Sequence, residues 1–513
     1  MIGKRSIVAI LAIAFALAIP LASFATPGAE TTPVSKDHLD ITWVYPYQTP
    51  YPEAGTKIQK YIEQKFNVTL HLFPFDTWTD EQKLTTYIAA GNYPDLFVRW
   101  GWQSYYDNGV IGTVDEKMVR QYWPSAAKAI DGVNGRQGWE TFKSYADGKQ
   151  IWIPGVSLLG DAPWVTFLRQ DWMDKVGMSK LPTTVDELYA LGKAFNTKDP
   201  DGNGRQDTYL YGGMHDLWCW NYVWAQTNGA YGYVPNQWIK ENGKIVNTYV
   251  SDRYKAVLKV YAKWYKEGII DPEFGTDKYA TFTAKLLDGR LGADFNMYNS
   301  ITDPNLPSNQ LMKKDPNAKF VPLIKLTGPS GDYGSWSYGP LVWATAFGAK
   351  TSDAKKIRIL QILEATDSDM TLYKYVHWGD LNTDYTINAD GQAVVNPNVK
   401  QMDIGSNIFA SIDNQTVDKN ILLSGKKAVD ATYGAIKATK ILRNQIDNAK
   451  AEWIAQNDKS ADFASWFSIP YAFEVNAITG KIDIDKEWAS YVASWKKAAG
   501  QKVLDAVQTM PLF

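Results

Sequence analysis

Residues 164–212 read WVTFLRQDWMDKVGMSKLPTTVDELYALGKAFNTKDPDGNGRQDTYLYG, and the interpretation of the chain starts from them. Leu168, Trp172 and Val176 recur at positions i, i+4 and i+8, a spacing that predicts an amphipathic helix. Gly177 follows directly and is suited to end that helix in a left-handed conformation. The first part of the stretch therefore predicts one helix.

A second helix is predicted from its capping residues. Thr184 and Glu187 form a T-x-x-E capping box, in which each side chain accepts a hydrogen bond from the other residue's backbone. The apolar face that follows at helical spacing consists of Val185, Leu188, Leu191 and Phe195.

Two predictions concern the later part of the chain. Asn242 and Gly243 predict the turn of a β-hairpin over residues 238–246. Helical stretches are expected at about 428–457 and 485–508.

The loop after the second helix has the pattern of a calcium site. Oxygen-bearing residues alternate over residues 199–207, with Gly204 at the sixth position, as in the first half of an EF-hand loop. Position twelve is Leu210 instead of the usual bidentate Glu, so position nine and water would have to complete the shell. An ordinary solvated turn has a similar composition and stays open as the alternative. The expected ligands are Asp199, Asp201, Asn203, the Arg205 carbonyl and Asp207.

Residues 169–209 and 260–274 (VYAKWYKEGIIDPEF) carry a resemblance to a known family. They resemble the large oligosaccharide-binding proteins of ABC importers, extracellular solute-binding protein family 1. Shorter segments at 89–98, 147–154 and 379–386 are also similar, in the expected order. The resemblance implies a protein that binds an intact oligosaccharide in a cleft and delivers it to permease subunits.

The resemblance also implies a fold class, the α/β two-lobed periplasmic binding protein of type II. Its lobes are expected to be discontinuous, with hinge strands between them and helices at the C-terminus. We expect a first lobe of residues 26–160 plus about 345–410, and a second lobe of residues 161–344 plus about 411–513 that carries the calcium loop. Crossings between the lobes are expected near residues 155–166, 340–348 and about 410.

Three strand-like segments in the first lobe end in aromatic residues. Residues 41–45, 68–73 and 95–100 alternate with two helical segments, which predicts a parallel sheet. Ligands of such sheets bind beyond the carboxyl ends of the strands. Rings in the turns after strands favour a binding site over a core, because a core takes its rings from within strands. The expected wall consists of Tyr47, Asp76, Trp78, Trp100 and Trp102.

Candidates for the opposite wall are more scattered. A predicted helix places Trp220 and Trp224 on one face. A predicted strand ends in a polar and aromatic cluster at Asp294, Asn296 and Tyr298. Isolated candidates are Trp336 and Trp378. Arg99 and Arg169 are the nearest cations, and without a basic cluster we expect a neutral oligosaccharide.

The N-terminus has the pattern of a signal peptide. Lys4 and Arg5 precede an apolar run over residues 7–21, and small residues offer cleavage after Ala25. No cysteine lies near that point, so residues 1–25 predict secretion without a lipid anchor, into the periplasm or medium. We expect no membrane insertion after cleavage, and a monomer. Cys219 is the only cysteine, so no disulfide within the chain is expected.

Composition limits the function classes. The 513 residues carry a net charge of −2, without the basic excess of a nucleic-acid-binding protein. The sequence holds 21 Trp and 30 Tyr against 19 Phe, a bias toward amphipathic rings that suits polar ligands with flat faces. No dinucleotide, P-loop, G-x-S-x-G or H-E-x-x-H motif is present. The resemblance to proteins that bind and release intact sugars implies a binding protein and not an enzyme. The alternative is a secreted glycoside hydrolase, which needs only a pair of carboxylates.

Overall fold

The computed structural model describes residues 37–46, 55–75, 81–99, 103–133, 138–156, 163–214, 223–296, 306–337, 341–389, 393–396, 398–399, 434 and 438–513. These residues belong to one compact unit, Asp37–Phe513.

The described strands are β1 Leu39–Pro46, β2 Val68–Phe75, β3 Leu96–Arg99, β4 Ile153–Val156, β5 Val165–Arg169, β6 Trp238–Glu241, β7 Lys244–Asn247, β8 Ala293–Asn296, β9 Phe320–Pro322, β10 Ser335–Trp336, β11 Leu341–Phe347, β12 Tyr385–Ile387, β13 Ala393–Val395 and β14 Ile441–Leu442. The described α-helices are α1 Lys57–Phe66, α2 Glu81–Ala89, α3 Gln103–Asp107, α4 Glu116–Tyr122, α5 Pro124–Asp131, α6 Gln170–Lys175, α7 Val185–Thr197, α8 Ala225–Ala230, α9 Asp252–Lys266, α10 Tyr279–Leu287, α11 Pro307–Lys314, α12 Asp353–Ser368, α13 Met370–Trp378, α14 Asn448–Gln456, α15 Phe463–Ile478, α16 Ile484–Ala499 and α17 Gln501–Thr509.

The first sheet has the strand order β2-β1-β3-β11-β4. Strand β1 is parallel to β2 and β3, which confirms the predicted alternation of strands and helices. Strand β11 is antiparallel to both of its neighbours, β3 and β4. Because β1, β2 and β3 are parallel, their carboxyl ends at Pro46, Phe75 and Arg99 lie at the same edge of the sheet.

A second sheet is built around β5, in the order β8-β5-β9. Here the prediction of a helix starting near Leu168 is wrong, because Leu168 lies within β5 and pairs with Ala293 and Val321. The helix begins only at Gln170. Leu168 and Trp172 are both buried in one core, so their spacing records burial in two consecutive elements and not one helical face. Together the two sheets and their helices confirm the α/β fold class.

The capping box of α7 is present as predicted. Thr184 Oγ1 accepts from the backbone N–H of Glu187, and the Glu187 carboxylate accepts from the backbone N–H of Thr184. The N–H of Thr183 also donates to Glu187, at 2.7 Å. Helix α7 then buries its apolar face, as expected from the sequence.

The C-terminal helices form a third core with the β6–β7 hairpin. That hairpin turns on Asn242 and Gly243, both at positive φ, as the sequence predicts. The helical pattern predicted for residues 485–508 is confirmed, with a break at Gly500 between α16 and α17. The stretch predicted at about 428–457 is helical only in α14, and the prediction is wrong at Ile441–Leu442, which form β14. Helix α15 was not predicted, and it contains Pro470 in its interior. The buried rings of this core include Trp238, Trp466 and Trp495.

The cores of the two sheets are separate clusters. Residues 41–156 and 347–376 supply the cluster beneath the first sheet, and residues 168–326 with 473–491 supply the cluster around β5. The lobe boundaries stay predictions. Of the expected crossings, the one near residues 155–166 falls partly and the one near 410 wholly outside the described residues. Among the described helices, none combines the length and apolarity needed to span a bilayer.

A buried ion cluster ties α10 to the segment 269–277. The side chain of Lys285 is 6% exposed, and its Nζ contacts Asp271 Oδ2 at 2.9 Å, Glu273 Oε2 at 2.8 Å and also Asp277. Asp271 and Asp277 are themselves buried. One lysine therefore compensates carboxylates that water cannot reach, and removal of its charge would leave them unpaired.

We expect Lys285→Met to lower the free energy of unfolding by roughly 3–5 kcal/mol, because buried carboxylates would lose their counter-ion. Urea denaturation followed by circular dichroism measures this change. Lys486→Met is the control, because the exposed Lys486–Asp483 pair at 3.6 Å should contribute less than roughly 1 kcal/mol. Equal unfolding midpoints for the two variants would contradict a structural role for the cluster.

Candidate functional site

All five residues of the predicted first wall lie outside the described residues. This holds for Tyr47, Asp76, Trp78, Trp100 and Trp102, and for Trp220 and Tyr298 of the opposite wall. The ends of β1, β2 and β3 nevertheless lie at one edge of the first sheet. The described candidates are Trp224, Asp294, Asn296, Trp336 and Trp378.

Trp224 is a core residue, so its assignment to the wall is wrong. It is fully buried, and its ring centroid lies 4.5 Å from that of Tyr261. The indole N–H donates to the carbonyl of Gly212 at 3.0 Å. Helix α8 begins only at Ala225, so a shared helical face with Trp220 is not available as the reason for placing this ring in the site.

Asp294 is also misassigned, because its carboxylate is fully buried and occupied. It accepts from the backbone N–H of Phe295 at 2.8 Å and of Ser308 at 2.9 Å. Ser308 lies in the first turn of α11, so Asp294 caps a helix end that Leu306 cannot cap. Burial raises the pKa of Asp294 to about 6.

Two half-buried tryptophans form a stack at one edge of the second sheet. The rings of Trp164 and Trp336 lie 5.8 Å apart at an interplanar angle of 22°, and Trp164 also stacks on Phe295 at 5.3 Å. The backbone N–H of Trp164 donates to the backbone carbonyl of Trp336 at 2.9 Å. Because Val165 pairs with Asn296, Trp164 lies where β8 ends. The structure thus brings Trp336 and Asn296 to one place.

Trp164 was missed by the sequence interpretation. It precedes a strand, whereas ligands were expected at residues that follow strands. Strand β5 is antiparallel to β8, so the start of β5 and the end of β8 share an edge. Only that pairing, which the sequence does not display, identifies the Trp164 ring as part of the cluster.

Trp378 lies on the side of the first sheet and not on the opposite wall, which corrects its assignment. It ends α13, whose Leu372 and Val376 pack in the core of the first sheet. The ring is 5% exposed and lies 5.9 Å from Tyr385.

Two aspartates that follow Trp378 in the sequence form an ion pair with a lysine at the start of α1. Lys57 Nζ contacts Asp380 Oδ2 at 3.0 Å and the carboxylate of Asp384. The Asp384 carboxylate also accepts from the backbone N–H of Asp380 at 2.6 Å. Asp380 remains half exposed and can therefore accept further hydrogen bonds.

The predicted calcium loop gathers its oxygen atoms around backbone donors and one amide. The Asp199 carboxylate accepts from the backbone N–H of Gly202 at 3.1 Å and of Gly204 at 2.8 Å. The Asn203 Nδ2 lies 2.7 Å from Asp201 Oδ2 and 3.0 Å from Asp207 Oδ1. Within the described residues, no group of three or more His, Cys, Asp or Glu is set out to hold a metal ion.

The pKa values of Asp199 and Asp201 in this loop are shifted in opposite directions. A hydrogen bond with Asp201, followed by backbone N–H donors, lowers the pKa of Asp199. Burial, followed by the hydrogen bond with Asp199, raises the pKa of Asp201. Opposite shifts of this kind arise when two carboxylates are close enough to disfavour joint ionisation. A cation placed between them would relieve that repulsion. Leu210 at position twelve is buried in the core and contributes no ligand.

Comparison with known proteins identifies a family profile and several relatives. The profile described as "Bacterial extracellular solute-binding protein" matches residues 49–358. The polygalacturonan/rhamnogalacturonan-binding protein YtcQ of Bacillus subtilis is 24% identical over 350 residues, covering 66% of this chain and 65% of YtcQ. The chain thus spans less than two thirds of that relative, and 48% of the fructooligosaccharide transporter substrate-binding protein FusA of Streptococcus pneumoniae.

Solved structures share the fold. A structure of the alginate-binding protein AlgQ2 without calcium ion has a TM-score of 0.64 at 20% identity, covering 93% of this chain and 98% of that chain. An EF-hand mutant of FusA from S. pneumoniae, in complex with fructo-nystose, has a TM-score of 0.65 at 18% identity, covering 91% and 98%. Such neighbours are periplasmic binding proteins of type II, which confirms the predicted architecture.

The raised pKa of Asp294 predicts a pH-dependent stability. The unfolded carboxyl titrates near pH 3.9, so between about pH 4 and 6 the folded state keeps a proton that the unfolded state has released. Stability from this group is therefore fully present below about pH 4 and is lost as pH rises toward 6, by roughly 3 kcal/mol.

We expect Asp294→Asn to remove this slope, because an amide does not titrate. The difference in unfolding free energy between the unsubstituted protein and the variant should shrink by roughly 3 kcal/mol from pH 4 to pH 7 in urea titrations. Asp288→Asn, at a carboxylate 70% exposed, should leave the slope in place. Parallel curves for Asp294→Asn and the unsubstituted protein would show that Asp294 titrates normally.

Proposed function

The chain belongs to the bacterial extracellular solute-binding protein family, and from this membership we propose that it captures an oligosaccharide and delivers it to an ABC transporter permease. The sugar would bind in a cleft between the carboxyl edge of the first sheet and the ring stack of the second. Export through residues 1–25, residence in the periplasm or outside the cell, and a monomeric state are parts of the same proposal.

The observation that supports this function most directly is the Trp164–Trp336 stack. A half-buried indole offers apolar area to the C–H face of a sugar ring, and its neighbours are positioned by strand pairing. The Trp164 ring is held by stacking on Trp336 and Phe295, and its backbone by the hydrogen bond to Trp336, so little ordering is left for a ligand to induce. A rigid aromatic platform at a sheet edge is suited to binding a sugar without reacting with it.

The hydrolase alternative has less support. A glycosidase requires two carboxylates about 5–10 Å apart on either side of the scissile bond. One carboxylate of the second sheet, that of Asp294, is buried and caps a helix, so it cannot act as acid or nucleophile on a bound sugar. Relatives are named as binding proteins, and we propose binding without catalysis for this chain too.

Whether the sugar is neutral or acidic is to be tested with sugars of both kinds. Arg169 is buried and bonded through both Nε and Nη2 to Asp171, at 2.9 and 2.6 Å, so it is not a free cation for a uronate. Lys325 and Lys440, by contrast, lie 4.6 and 5.3 Å from the ring centroid of Tyr333, three residues before Trp336. YtcQ is named for acidic polysaccharides and FusA for a neutral one.

We further propose that the loop at residues 199–207 binds structural calcium. The side chains of Asp199, Asp201, Asn203 and Asp207 and the carbonyl of Arg205 would hold the ion. A bound divalent cation supplies the positive charge that these acidic residues lack. The support is the alternating spacing and the opposed pKa shifts of Asp199 and Asp201. The loop follows α7 and not a strand end, so its role is expected to be stability.

The function is tested by titrating neutral fructooligosaccharides and acidic oligogalacturonides while tryptophan fluorescence is recorded. We expect Trp336→Ala to weaken the tightest-bound sugar about thirtyfold, or roughly 2 kcal/mol, with little change in melting temperature. The matched core control is Trp224→Ala, which should cost roughly 3–5 kcal/mol of stability. Full affinity in Trp336→Ala would remove the ring stack from the site, and new reducing ends in the mixtures would favour the hydrolase.

Calcium is tested by thermal unfolding with and without a chelator. We expect EDTA to lower the melting temperature, because an ion that binds only the folded state stabilises it by roughly 3 kcal/mol at a hundredfold excess over its Kd. Asp201→Ala should unfold at the same temperature with or without EDTA. Asp485→Ala, which removes an exposed carboxylate elsewhere, should respond like the unsubstituted protein. A melting temperature unmoved by EDTA would leave the loop an ordinary turn.

A further inference from the structure

A small contact joins the first sheet's module to helix α14. The indole N–H of Trp453 donates to Asp107 Oδ2 at 3.2 Å, and the Tyr145 hydroxyl donates to Asp447 Oδ1 at 3.3 Å. The rings of Tyr145 and Trp453 lie between these two bonds, with centroids 5.7 Å apart. We call these four residues the rim contact.

The two sides of the rim contact are anchored in different cores. Asp107 ends α3, whose Tyr105 packs with Ile151 and Trp152 against the first sheet. Trp453 packs against the cluster formed by the C-terminal helices and the β6–β7 hairpin. The rim contact therefore connects two modules without being part of the interior of either.

Each side is ordered before the two meet. Gln103 Nε2 donates to Asp107 Oδ1 at 2.8 Å, and Gln103 Oε1 accepts from the N–H of Tyr145 at 3.1 Å. One glutamine thus holds both residues of the first module. On the other side Asp447 caps α14 by accepting from the N–H of Lys450 at 3.0 Å. Preordered partners lose little conformational entropy when they meet, so even a small contact can bias an equilibrium.

The position of the rim contact relates it to the ligand. Helix α3 follows the carboxyl end of β3, the edge at which the sugar is proposed to bind. Any opening of the cleft that separates α3 from α14 must break both hydrogen bonds and part the two rings. The polar atoms are partly exposed, so water can replace the lost bonds and the contact can break reversibly.

We propose that the rim contact is a latch that biases the sugar-free protein toward the closed arrangement. The inference rests on the proposed function only in that opening admits a ligand. A latch sets the fraction of open protein, and the apparent affinity for a ligand scales with the fraction of the competent conformation. Loss of one bond to a charged acceptor should shift the closed-to-open ratio about tenfold.

The test uses the full-length secreted chain without sugar. Small-angle X-ray scattering compares the unsubstituted protein with Asp107→Ala and Trp453→Phe, the latter keeping a ring on the core while losing the N–H donor. We expect both variants to show a larger radius of gyration and maximum dimension. The double variant should show no further increase, because both changes remove the same bond.

Asp147→Ala is the matched control, since Asp147 accepts from the Tyr106 hydroxyl within the first module and pairs with Lys149. It should scatter like the unsubstituted protein. Unchanged dimensions in both latch variants, with unchanged circular dichroism, would overturn the proposal. Because no sugar is present, that result would leave the proposed ligand untouched, whereas failure to bind any sugar would leave the latch standing.

Discussion

The placement of β11 between β3 and β4 is the constraint on which the rest of the structure depends. The chain completes β4, builds the whole second sheet and then returns to insert β11 antiparallel to both neighbours. Directly after β11, Gly348 packs closely against the segment before β3. A Cβ at this position would lie 2.0 Å from the carbonyl oxygen of Pro94, so only glycine fits. A sheet that is finished by a later segment cannot be a continuous domain.

The parts of the fold that the sequence could predict are those determined by interactions between residues close together in the chain. The capping box of Thr184 and Glu187 and the hairpin turn at Asn242 depend on neighbours within a few residues, and each forms as expected. Leu168 and Trp224 were misassigned for the opposite reason. A buried strand followed by a helix can mimic helical spacing, and a tryptophan suits a core as well as a sugar site, so only long-range packing distinguishes the alternatives.

The sequence predicted that aromatic residues at strand ends form the candidate site, but it did not predict which residues these are. A parallel sheet directs attention to residues after its strands, which is why Trp164, before an antiparallel strand, was overlooked. Asp294 looked like a ligand for hydroxyl groups, yet the segment that begins at Pro307 needed its carboxylate to satisfy the helix start. Trp336 meets Trp164 only because two segments far apart in sequence converge. Register between distant strands, and not residue type, selects the members of such a site.

The late completion of each core has a consequence for biosynthesis. The first sheet is incomplete until residues 341–347 have been synthesised, and the hairpin of β6 and β7 lacks a partner until α17 has been synthesised. In α17, the Gln508 side chain accepts from the N–H of Ile245 at 3.0 Å and donates to its carbonyl at 2.8 Å. At 5–20 residues per second, a ribosome needs roughly 25–100 s to supply the last of these partners. Through that interval the nascent chain lacks the contacts that would lock it into a folded state. For the export proposed above, a polypeptide that stays unfolded while it is being made remains able to pass through a narrow translocation channel.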